Sequence, residues 1–316
     1  MMKKNPELKK ILVTGGAGFI GSNLVLTLQE QYPKAWIVVM DDFRSGNFKN
    51  LIGFRGDVVA ANIACLDIKT HFGKERFDAI FHEASITDTT EHNQQLQIHD
   101  NAEGFRCILE FAKPTRTPVV YASSAATYGI GSDTVNREDQ PPKPANVYAF
   151  SKVILDNLAR EYSSRSAANW RIVGVRYFNV FGPREAHKKA AASMIYQLAQ
   201  QMSAGKRPRV FKHGEQKRDF VYVKDAVQAT LLALNTKNGV YNVGSGQPRS
   251  FNDVIAALRV QLGVNLQTDY FDNPYSFYQP HTEADLTLSK KELGYQPKFS
   301  LEAGIRDYHT SGFLTR

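Results

Sequence analysis

The sequence predicts an α/β protein with a doubly wound parallel sheet and a smaller, mixed α/β C-terminal domain. Three observations predict this class: a strand, a glycine-rich turn and a helix follow one another near the N-terminus; short apolar runs then alternate with helical segments; and this rhythm loosens from about residue 180. Continuous apolar runs are typical of parallel strands that are buried on both faces. The length of 316 residues is sufficient for about two domains.

The first apolar run leads directly into spaced glycines. The run covers residues 10–14, glycines follow at Gly15, Gly18 and Gly21, and residues 22–30 form a helical pattern. The first glycine permits a tight turn, the second lets the backbone approach a pyrophosphate, and the third lets the helix pack on the strand. The helix N-terminus then presents free N–H groups to phosphates. This order predicts a Rossmann-type dinucleotide site rather than a simple tight turn.

A second predicted strand, residues 36–40, ends at Asp41 and Asp42. An acidic residue at this distance from the glycines commonly holds the adenosine ribose, which favours NAD. Arg44 and Lys49 follow in the loop, where they either hold the 2′-phosphate of NADP or are ordinary loop residues. We expect NADP as the cofactor and leave NAD open.

Later segments continue the alternation of strands and helices. Further strands are predicted at 57–59, 77–81, 118–121 and 172–175, with helices at 92–112 and 147–162. Aromatic, proline and glycine residues become dense between 270 and 300, and we interpret the C-terminal part as a cap over the carboxyl edge of the sheet. We expect an NAD(P)-binding domain of residues 1–178, with a return segment at about 219–245, and a substrate-binding domain of residues 179–316.

Tyr148 and Lys152 lie four residues apart in one predicted helix. Their side chains therefore share one face, one turn apart. A tyrosine in this position can exchange a proton with a sugar hydroxyl, while the neighbouring ammonium favours the phenolate. Ser124 follows a predicted strand, where binding a substrate hydroxyl is a better interpretation than nucleophilic attack, because the chain has no GxSxG motif.

Composition restricts the possible partners. The net charge of +8 favours either anionic partners or simply a solvated basic surface, and no nucleic-acid motif is present. No apolar run approaches the ~20 residues of a membrane-spanning helix. Cys65 and Cys107 lack CxxC spacing, which indicates a reduced, cytoplasmic compartment. The pair at 82–83 is not a zinc motif, because Ile86 stands where HExxH needs histidine, so we expect no metal.

Taken together, the motifs resemble the extended short-chain dehydrogenase/reductases. They are Gly15-x-x-Gly18-x-x-Gly21, Ser123-Ser124 after a strand, and Tyr148-x-x-x-Lys152. Segments 176–184 and 218–225 extend the resemblance to members that modify nucleotide sugars. Segments 81–84, 121–129 and 182–188 are similar to those of the ADP-heptose 6-epimerases, which have glutamate at the position of Glu83, whereas the wider family usually has an aliphatic residue.

The resemblance implies an epimerase that inverts carbon 6 of ADP-D-glycero-β-D-manno-heptose, for lipopolysaccharide core synthesis, by hydride transfer to and from bound NADP. Tyr148 and Lys188 would be the acid/base groups on the two sides of that carbon. Lys152 would lower the pKa of Tyr148 and hold the nicotinamide ribose, and Ser124 would bond the reacting oxygen. Lys189 stands where the family often has glycine, so either lysine is a candidate for the second base.

The resemblance also implies two sets of binding residues and a homo-oligomer. The cofactor set adds Phe19, Ile20, Asp41, Asp42, Glu83, Ala84, Ser85, Ile86, Thr87, Lys152 and Val180 to the glycines. The set for the nucleotide sugar is Asn179, Lys189, Phe211, Lys212, His213, Gly214, Arg218 and Tyr278. The planar fork of Arg218 suits a diphosphate, and a structural salt bridge is the alternative.

Two other functions stay open. The first is a carbon-4 epimerase or dehydratase of another nucleotide sugar; Glu83 and Lys188 argue against it, and so do Ala125 and Ala126, where a dehydratase would have an acid/base pair. The second is a non-catalytic protein that senses the cofactor. The intact pair of tyrosine and lysine argues against it, because such proteins often lose one of the two.

Overall fold

The computed structural model describes residues 7–88, 93–130, 135–165, 170–273 and 280–315. Its strands are β1 Lys10–Thr14, β2 Trp36–Asp41, β3 Asp57–Ala60, β4 Ala79–His82, β5 Val119–Ser124, β6 Ile172–Tyr177, β7 Asn179–Phe181, β8 Arg209–Phe211, β9 Lys217–Tyr222, β10 Gly239–Val243, β11 Pro248–Ser250 and β12 Asp269–Phe271. Its α-helices are α1 Phe19–Gln31, α2 Ile68–Phe72, α3 Gln94–Ala112, α4 Val147–Arg165, α5 Met194–Ser203, α6 Val223–Ala233, α7 Phe251–Leu262, α8 Thr287–Glu292 and α9 Leu301–Thr310. Short 3₁₀ helices cover Phe48–Leu51, Ala125–Tyr128 and Ala186–Ala191.

The large sheet has seven parallel strands in the order β10-β6-β5-β4-β1-β2-β3. Its central strands are almost wholly buried, as their apolar sequences require when helices cover both faces. The predicted doubly wound parallel sheet is therefore confirmed. Helix α1 begins at Phe19 instead of the predicted residue 22, because the turn after β1 ends at Gly18 and the helix starts at once.

Two hydrophobic cores lie on opposite faces of this sheet. Ile11 and Val13 point to the core that includes Leu24 of α1. Leu12, between them in sequence, points to the other core, where Phe105 of α3 lies. Successive side chains of a strand alternate between faces, so one short strand serves both cores. Helices α3 and α4 pack together on the second face.

The order of the strands creates a crevice at one edge of the sheet. From β1 the chain moves to β2 and β3 on one side, and it resumes at β4 on the other side of β1. In doubly wound sheets, ligands bind at such a switch point, beyond the carboxyl ends of the strands. The glycines after β1 and the residues after β4, β5 and β6 all reach this edge.

The C-terminal part contains a three-stranded sheet, β11-β9-β7, and a two-stranded sheet, β12-β8. Helix α7 begins with a capping box in which Ser250 and Asp253 bond each other's backbone N–H groups. The two small sheets and helix α7 confirm the predicted smaller, mixed α/β region. Strand β10 pairs with β6 of the large sheet, while the domain boundary at residue 178 and the return segment at 219–245 stay predictions. Among the described residues, no helix is long and apolar enough to cross a membrane.

Candidate active site

A cavity of about 1290 Å³ opens at the carboxyl ends of the parallel strands. It exceeds the ~300–1,000 Å³ of ordinary ligand pockets, which leaves room for two ligands such as a dinucleotide and a nucleotide sugar. Most of the predicted site residues line it: Gly15, Gly18, Phe19, Ile20, Gly21, Asp41, Asp42, Arg44, Glu83, Ala84, Ser85, Ile86, Thr87, Ser124, Tyr148, Lys152, Asn179, Val180, Lys188, Lys189, Phe211 and Arg218.

Some predicted residues lie elsewhere. The described residues that line the cavity do not include Lys49, Lys212, His213 or Gly214. Lys212 forms an exposed ion pair with Asp272 at 2.9 Å. Tyr278 falls outside the described residues, so its assignment to the sugar site stays a prediction.

The glycine turn has no room for side chains at Gly15 and Gly21, where neighbouring backbone atoms come closest. Gly15 has a φ of 69°, and a Cβ placed on it would lie 2.4 Å from the backbone nitrogen of Ala84. A Cβ on Gly21 would lie 2.1 Å from the carbonyl oxygen of Gly15. The N-cap of α1 is Gly18, which has no side chain to bond the first N–H groups of the helix. The turn thus keeps free N–H groups at the cavity wall, as binding of a pyrophosphate requires.

Asp41, at the end of β2, holds the glycine turn by a hydrogen bond. Its carboxylate accepts hydrogen bonds from the backbone nitrogens of Ala17 and Phe43, each at 2.9 Å. Burial raises the pKa of Asp41, and these two bonds oppose the rise. The residue therefore joins the loop after β2 to the turn after β1.

Arg44 lies between two carboxylates at another part of the cavity wall. Its Nη2 donates to Asp42 at 2.7 Å and to Asp100 at 2.6 Å. Asp100, on α3, also accepts from Asn62 at 3.2 Å. Sequence reasoning missed Asp100, because no local motif marks a residue that the packing of α3 brings to the loop after β2.

Tyr148 and Lys152 occupy the first turns of α4, which is capped by Asn146 through a bond from the backbone nitrogen of Ala149 at 2.8 Å. Lys152 is 1% exposed, and its Nζ donates to the carbonyl oxygen of Ala122 in β5 at 2.8 Å. The Nζ lies 5.7 Å from the centroid of the Tyr148 ring. The bond to β5 therefore fixes Lys152 at the cavity, beside the ring of Tyr148.

Burial and neighbouring groups shift the pKa values of Lys152 and Tyr148 in opposite directions. Burial lowers the pKa of Lys152 to about 8, against the charge of Glu83, which raises it. Burial raises the pKa of Tyr148, and a hydrogen bond with Ser124 lowers it. Ser124 also accepts from the backbone nitrogen of Ala126 at 3.1 Å, which fixes the hydroxyl at the end of β5.

Glu83 is held at the cavity by a chain of hydroxyl groups. The hydroxyl of Tyr177 donates to Glu83 at 3.0 Å and lies 2.6 Å from the hydroxyl of Thr230. Burial raises the pKa of Glu83 to about 7, while the bond from Tyr177 and the charge of Lys152 lower it. A carboxyl group that titrates near neutral pH thus lies close to the lysine and the tyrosine.

Asn101 fixes the strip of chain after Glu83, and sequence reasoning missed it as well. Its side chain accepts from the backbone nitrogen of Ile86 at 2.7 Å and donates to the carbonyl oxygen of the same residue at 3.1 Å. It also donates to the hydroxyl of Ser151 in α4 at 2.9 Å. One buried amide thus joins this strip to the helix that carries Tyr148.

Lys188 reaches the same cavity from a loop of the C-terminal part. Its Nζ lies 5.7 Å from the centroid of the Phe19 ring, at the start of α1. Burial lowers the pKa of Lys188, and the charge of Glu185 opposes this. The next residue, Lys189, also lines the cavity but is exposed. A desolvated amine suits proton abstraction better than an exposed one, because desolvation favours the neutral form.

Within the described ranges, no group of three or more His, Cys, Asp or Glu residues could hold a metal ion. His82 is fully buried, and its Nδ1 lies 2.8 Å from the hydroxyl of Thr14. Burial lowers the pKa of His82 to about 3. It is a neutral core residue next to the site.

Comparison with known proteins agrees with this geometry. The sequence profile of the NAD dependent epimerase/dehydratase family matches residues 11–244. The ADP-L-glycero-D-manno-heptose-6-epimerase of Helicobacter pylori is 42% identical, with 96% of each chain covered and a TM-score of 0.88. The UDP-glucose 4-epimerase of Thermotoga maritima is 27% identical, with 96% of this chain and 99% of that chain covered and a TM-score of 0.87. The dTDP-glucose 4,6-dehydratase of Bacillus anthracis is 25% identical, with 96% of each chain covered and a TM-score of 0.83.

Proposed function

The chain belongs to the NAD dependent epimerase/dehydratase family, and we propose that it inverts carbon 6 of ADP-D-glycero-β-D-manno-heptose to give the L-glycero epimer. The observation that carries this proposal is that Tyr148, on α4, and Lys188, in the 3₁₀ segment Ala186–Ala191, line one cavity. Inversion needs a proton-transfer group on each side of the reacting carbon. The product would be a heptose donor for the lipopolysaccharide core.

Tyr148 is the proposed acid/base on the sheet side of the cavity, which is formed by α4 and the end of β5. Its phenolate removes the proton of the 6-hydroxyl while the alcohol is oxidised to a ketone, and the side chain becomes a phenol. The hydrogen bond with Ser124 opposes the rise in the pKa of Tyr148 that burial causes, and so favours the phenolate that starts this step. When bound, NADP would supply the acceptor and the donor of hydride for this oxidation and the following reduction, and the glycine turn after β1 would hold its pyrophosphate. The ketone presents its other face between the two steps. Buried Lys152 supplies a positive charge beside the tyrosine ring, and it has further N–H donors for a ribose.

Lys188 is the proposed second acid/base. Partial burial lowers the pKa of Lys188, which favours the neutral amine more than in an exposed lysine. We assign this role to Lys188 and not to Lys189, because the latter is exposed. Lys189 and Arg218, which also line the cavity, then suit the diphosphate of the nucleotide sugar.

We propose NADP as the cofactor, with NAD as the alternative. Arg44 at the cavity wall is the residue that supports NADP, since a guanidinium can bind a 2′-phosphate with two N–H groups. The two carboxylates that now pair with it support NAD, because a 2′-phosphate would have to replace them. The proposed setting is the cytoplasm, which both free cysteines, Cys65 and Cys107, support.

A carbon-4 epimerase is the second candidate, supported by the similar TM-score of the UDP-glucose 4-epimerase. Proton NMR distinguishes the two: the purified protein is incubated with ADP-D-glycero-β-D-manno-heptose and with UDP-glucose, and its bound dinucleotide is identified. We expect conversion of the heptose only, with Tyr148→Phe and Lys188→Met each slower by about 10²–10⁴-fold. The exposed Lys291→Met is the matched control with full activity. Conversion of UDP-glucose with an unchanged heptose would overturn the proposal.

A further inference from the structure

The loop of residues 182–193, here called the Lys188 loop, is closed on itself by a buried carboxylate. Glu185 is fully buried and accepts from the backbone nitrogens of Gly182 at 3.1 Å and Ser193 at 2.6 Å. It also accepts from the hydroxyl of Ser193 at 2.9 Å. These bonds give the loop a defined shape, but they do not position it relative to the glycine turn.

Polar bonds to α1 and to the 3₁₀ helix Phe48–Leu51 supply that position. Asn23 of α1 donates to the carbonyl oxygen of Pro183 at 3.0 Å. Arg184 donates through Nε to the carbonyl oxygen of Asn50 at 3.2 Å. The Nδ2 of Asn50 lies 3.1 Å from the Nδ1 of His187, the residue before Lys188. The loop is thus bonded to the elements that surround the glycine turn.

Asn50 contacts both the glycine turn and the Lys188 loop. Its Nδ2 donates to the carbonyl oxygen of Ala17, inside the glycine turn, at 2.9 Å. The same nitrogen lies 3.1 Å from the Nδ1 of His187, and this Nδ1 also lies 3.0 Å from the carbonyl oxygen of Arg184. One ring nitrogen is thus placed between the amide of Asn50 and the backbone of the Lys188 loop. Burial lowers the pKa of His187, and the hydrogen bond with the carbonyl oxygen of Arg184 opposes this. Asn50 is only 6% exposed, so water does not compete readily for these bonds.

We propose that Asn50 is a positioning residue that sets Lys188 against the cofactor turn through His187. One amide joins the turn that binds the dinucleotide to the loop that carries the second acid/base, so the two reactive parts of the site keep a fixed separation. The proposal rests on the proposed function for the role of Lys188, but the juxtaposition itself does not depend on the substrate. Reaction rates are sensitive to such placement, since a shift of about 1 Å can cost about 10²-fold.

The kinetic test is a double-mutant cycle on the full chain. We expect Asn50→Ala and His187→Leu each to lower kcat by about 10- to 100-fold, with KM changed by less than about twofold. The double variant should be no slower than the slower single variant, because both changes break one connection. His187→Gln, which keeps a neutral acceptor, should restore most of the rate. The exposed Phe48→Ala, in the same 3₁₀ turn as Asn50, is the control.

A labelling test separates this inference from the proposed function. Reductive methylation followed by peptide mass spectrometry reports the reactivity of Lys188, with exposed Lys189 as the internal reference. We expect Lys188 to react several-fold faster in Asn50→Ala and in His187→Leu than in the parent protein, and at the parent rate in Phe48→Ala and His187→Gln. Faster labelling in a protein that does not convert the heptose would retain the positioning role and overturn only the function. The positioning role would be overturned if the two single-variant losses of kcat multiplied in the double variant, or if Lys188 were labelled at the parent rate in Asn50→Ala and His187→Leu.

Discussion

The two sides of the cavity hold the proposed proton-transfer groups in different ways. On the sheet side, Tyr148 and Lys152 stand on a capped helix, and the lysine is bonded to a carbonyl of β5. On the other side, Lys188 stands on a loop that is held by polar bonds from Glu185 and Asn50. The first side therefore depends on the core of the protein. The second depends on a few hydrogen bonds.

Each side also contains a carboxyl group, partly exposed to the cavity in Glu83 and fully buried in Glu185, and the two differ in their donors. Glu83, on the sheet side, accepts from the Tyr177 hydroxyl and lies near the buried Lys152. Glu185, on the loop side, accepts from two backbone nitrogens and a hydroxyl. Burial raises the pKa of both groups. Loss of a buried ion pair on the sheet side should reduce global stability, whereas loss of a hydrogen bond on the loop side should loosen one segment.

The largest expected effect is a loss of global stability when the buried ion pair of the sheet side is broken. Asp156, on the same helix as Tyr148, pairs with buried Arg176 at 2.8 Å and accepts from the hydroxyl of Tyr121 at 3.0 Å. Asp156→Ala leaves a buried guanidinium without its carboxylate, so we expect a loss of about 3–5 kcal/mol in the free energy of unfolding. Urea unfolding followed by circular dichroism measures this loss.

The control for that experiment is an exposed pair of the same type. Asp139 lies 3.3 Å from Arg137 at the surface, and Asp139→Ala should cost about 0–1 kcal/mol. Similar losses in the two variants would show that the sheet side does not depend on its buried pair. The comparison between the two sides would then fail.

A smaller effect concerns the pH dependence of stability. Burial raises the pKa of Glu83 from an ordinary value of 4.5 to about 7, so the folded protein holds this proton to higher pH than the unfolded chain does. The stability that the group contributes is present below the lower value and is lost as the pH rises through the higher one. Glu83→Gln stays neutral and avoids this loss.

We therefore expect Glu83→Gln to match the parent protein near about pH 4.5 and to exceed its stability by about 1–3 kcal/mol near about pH 8. Thermal unfolding across this range measures the difference. Glu161→Gln, at an exposed ion pair of α4, is the control and should follow the parent at every pH. A constant offset between Glu83→Gln and the parent would contradict the assigned pKa.

The same contrast between the sides explains what the sequence could predict. The sheet side is encoded locally: apolar runs predicted the strands, and the spacing of Tyr148 and Lys152 placed both on one helical face, which the structure confirms as α4. Polar cross-links are not encoded in this way. Asn50 and His187 are 137 residues apart, and nothing in the local pattern of either one indicates the other.

The sequence also did not predict which partner each side chain would contact. Asp41 and Asp42 are neighbours, yet one bonds the backbone of the glycine turn and the other pairs with Arg44. Asp100 joins that arginine only because α3 packs beside the loop after β2. Lys188 was identified through a family resemblance, since an isolated lysine in a loop has no pattern that predicts its burial.

The smallest expected effect belongs to the loop side. In Glu185→Gln the side-chain amide places an N–H group against backbone donors, so we expect a local cost of about 1 kcal/mol or slightly more. Hydrogen–deuterium exchange should then become faster across the Lys188 loop, while the unfolding temperature changes little. The charge of Glu185 also raises the pKa of Lys188, so its removal should move the rise of kcat with pH to lower pH. If the variant instead unfolds globally to the same extent as Asp156→Ala, the loop belongs to the core, and the two sides of the cavity are held in the same way.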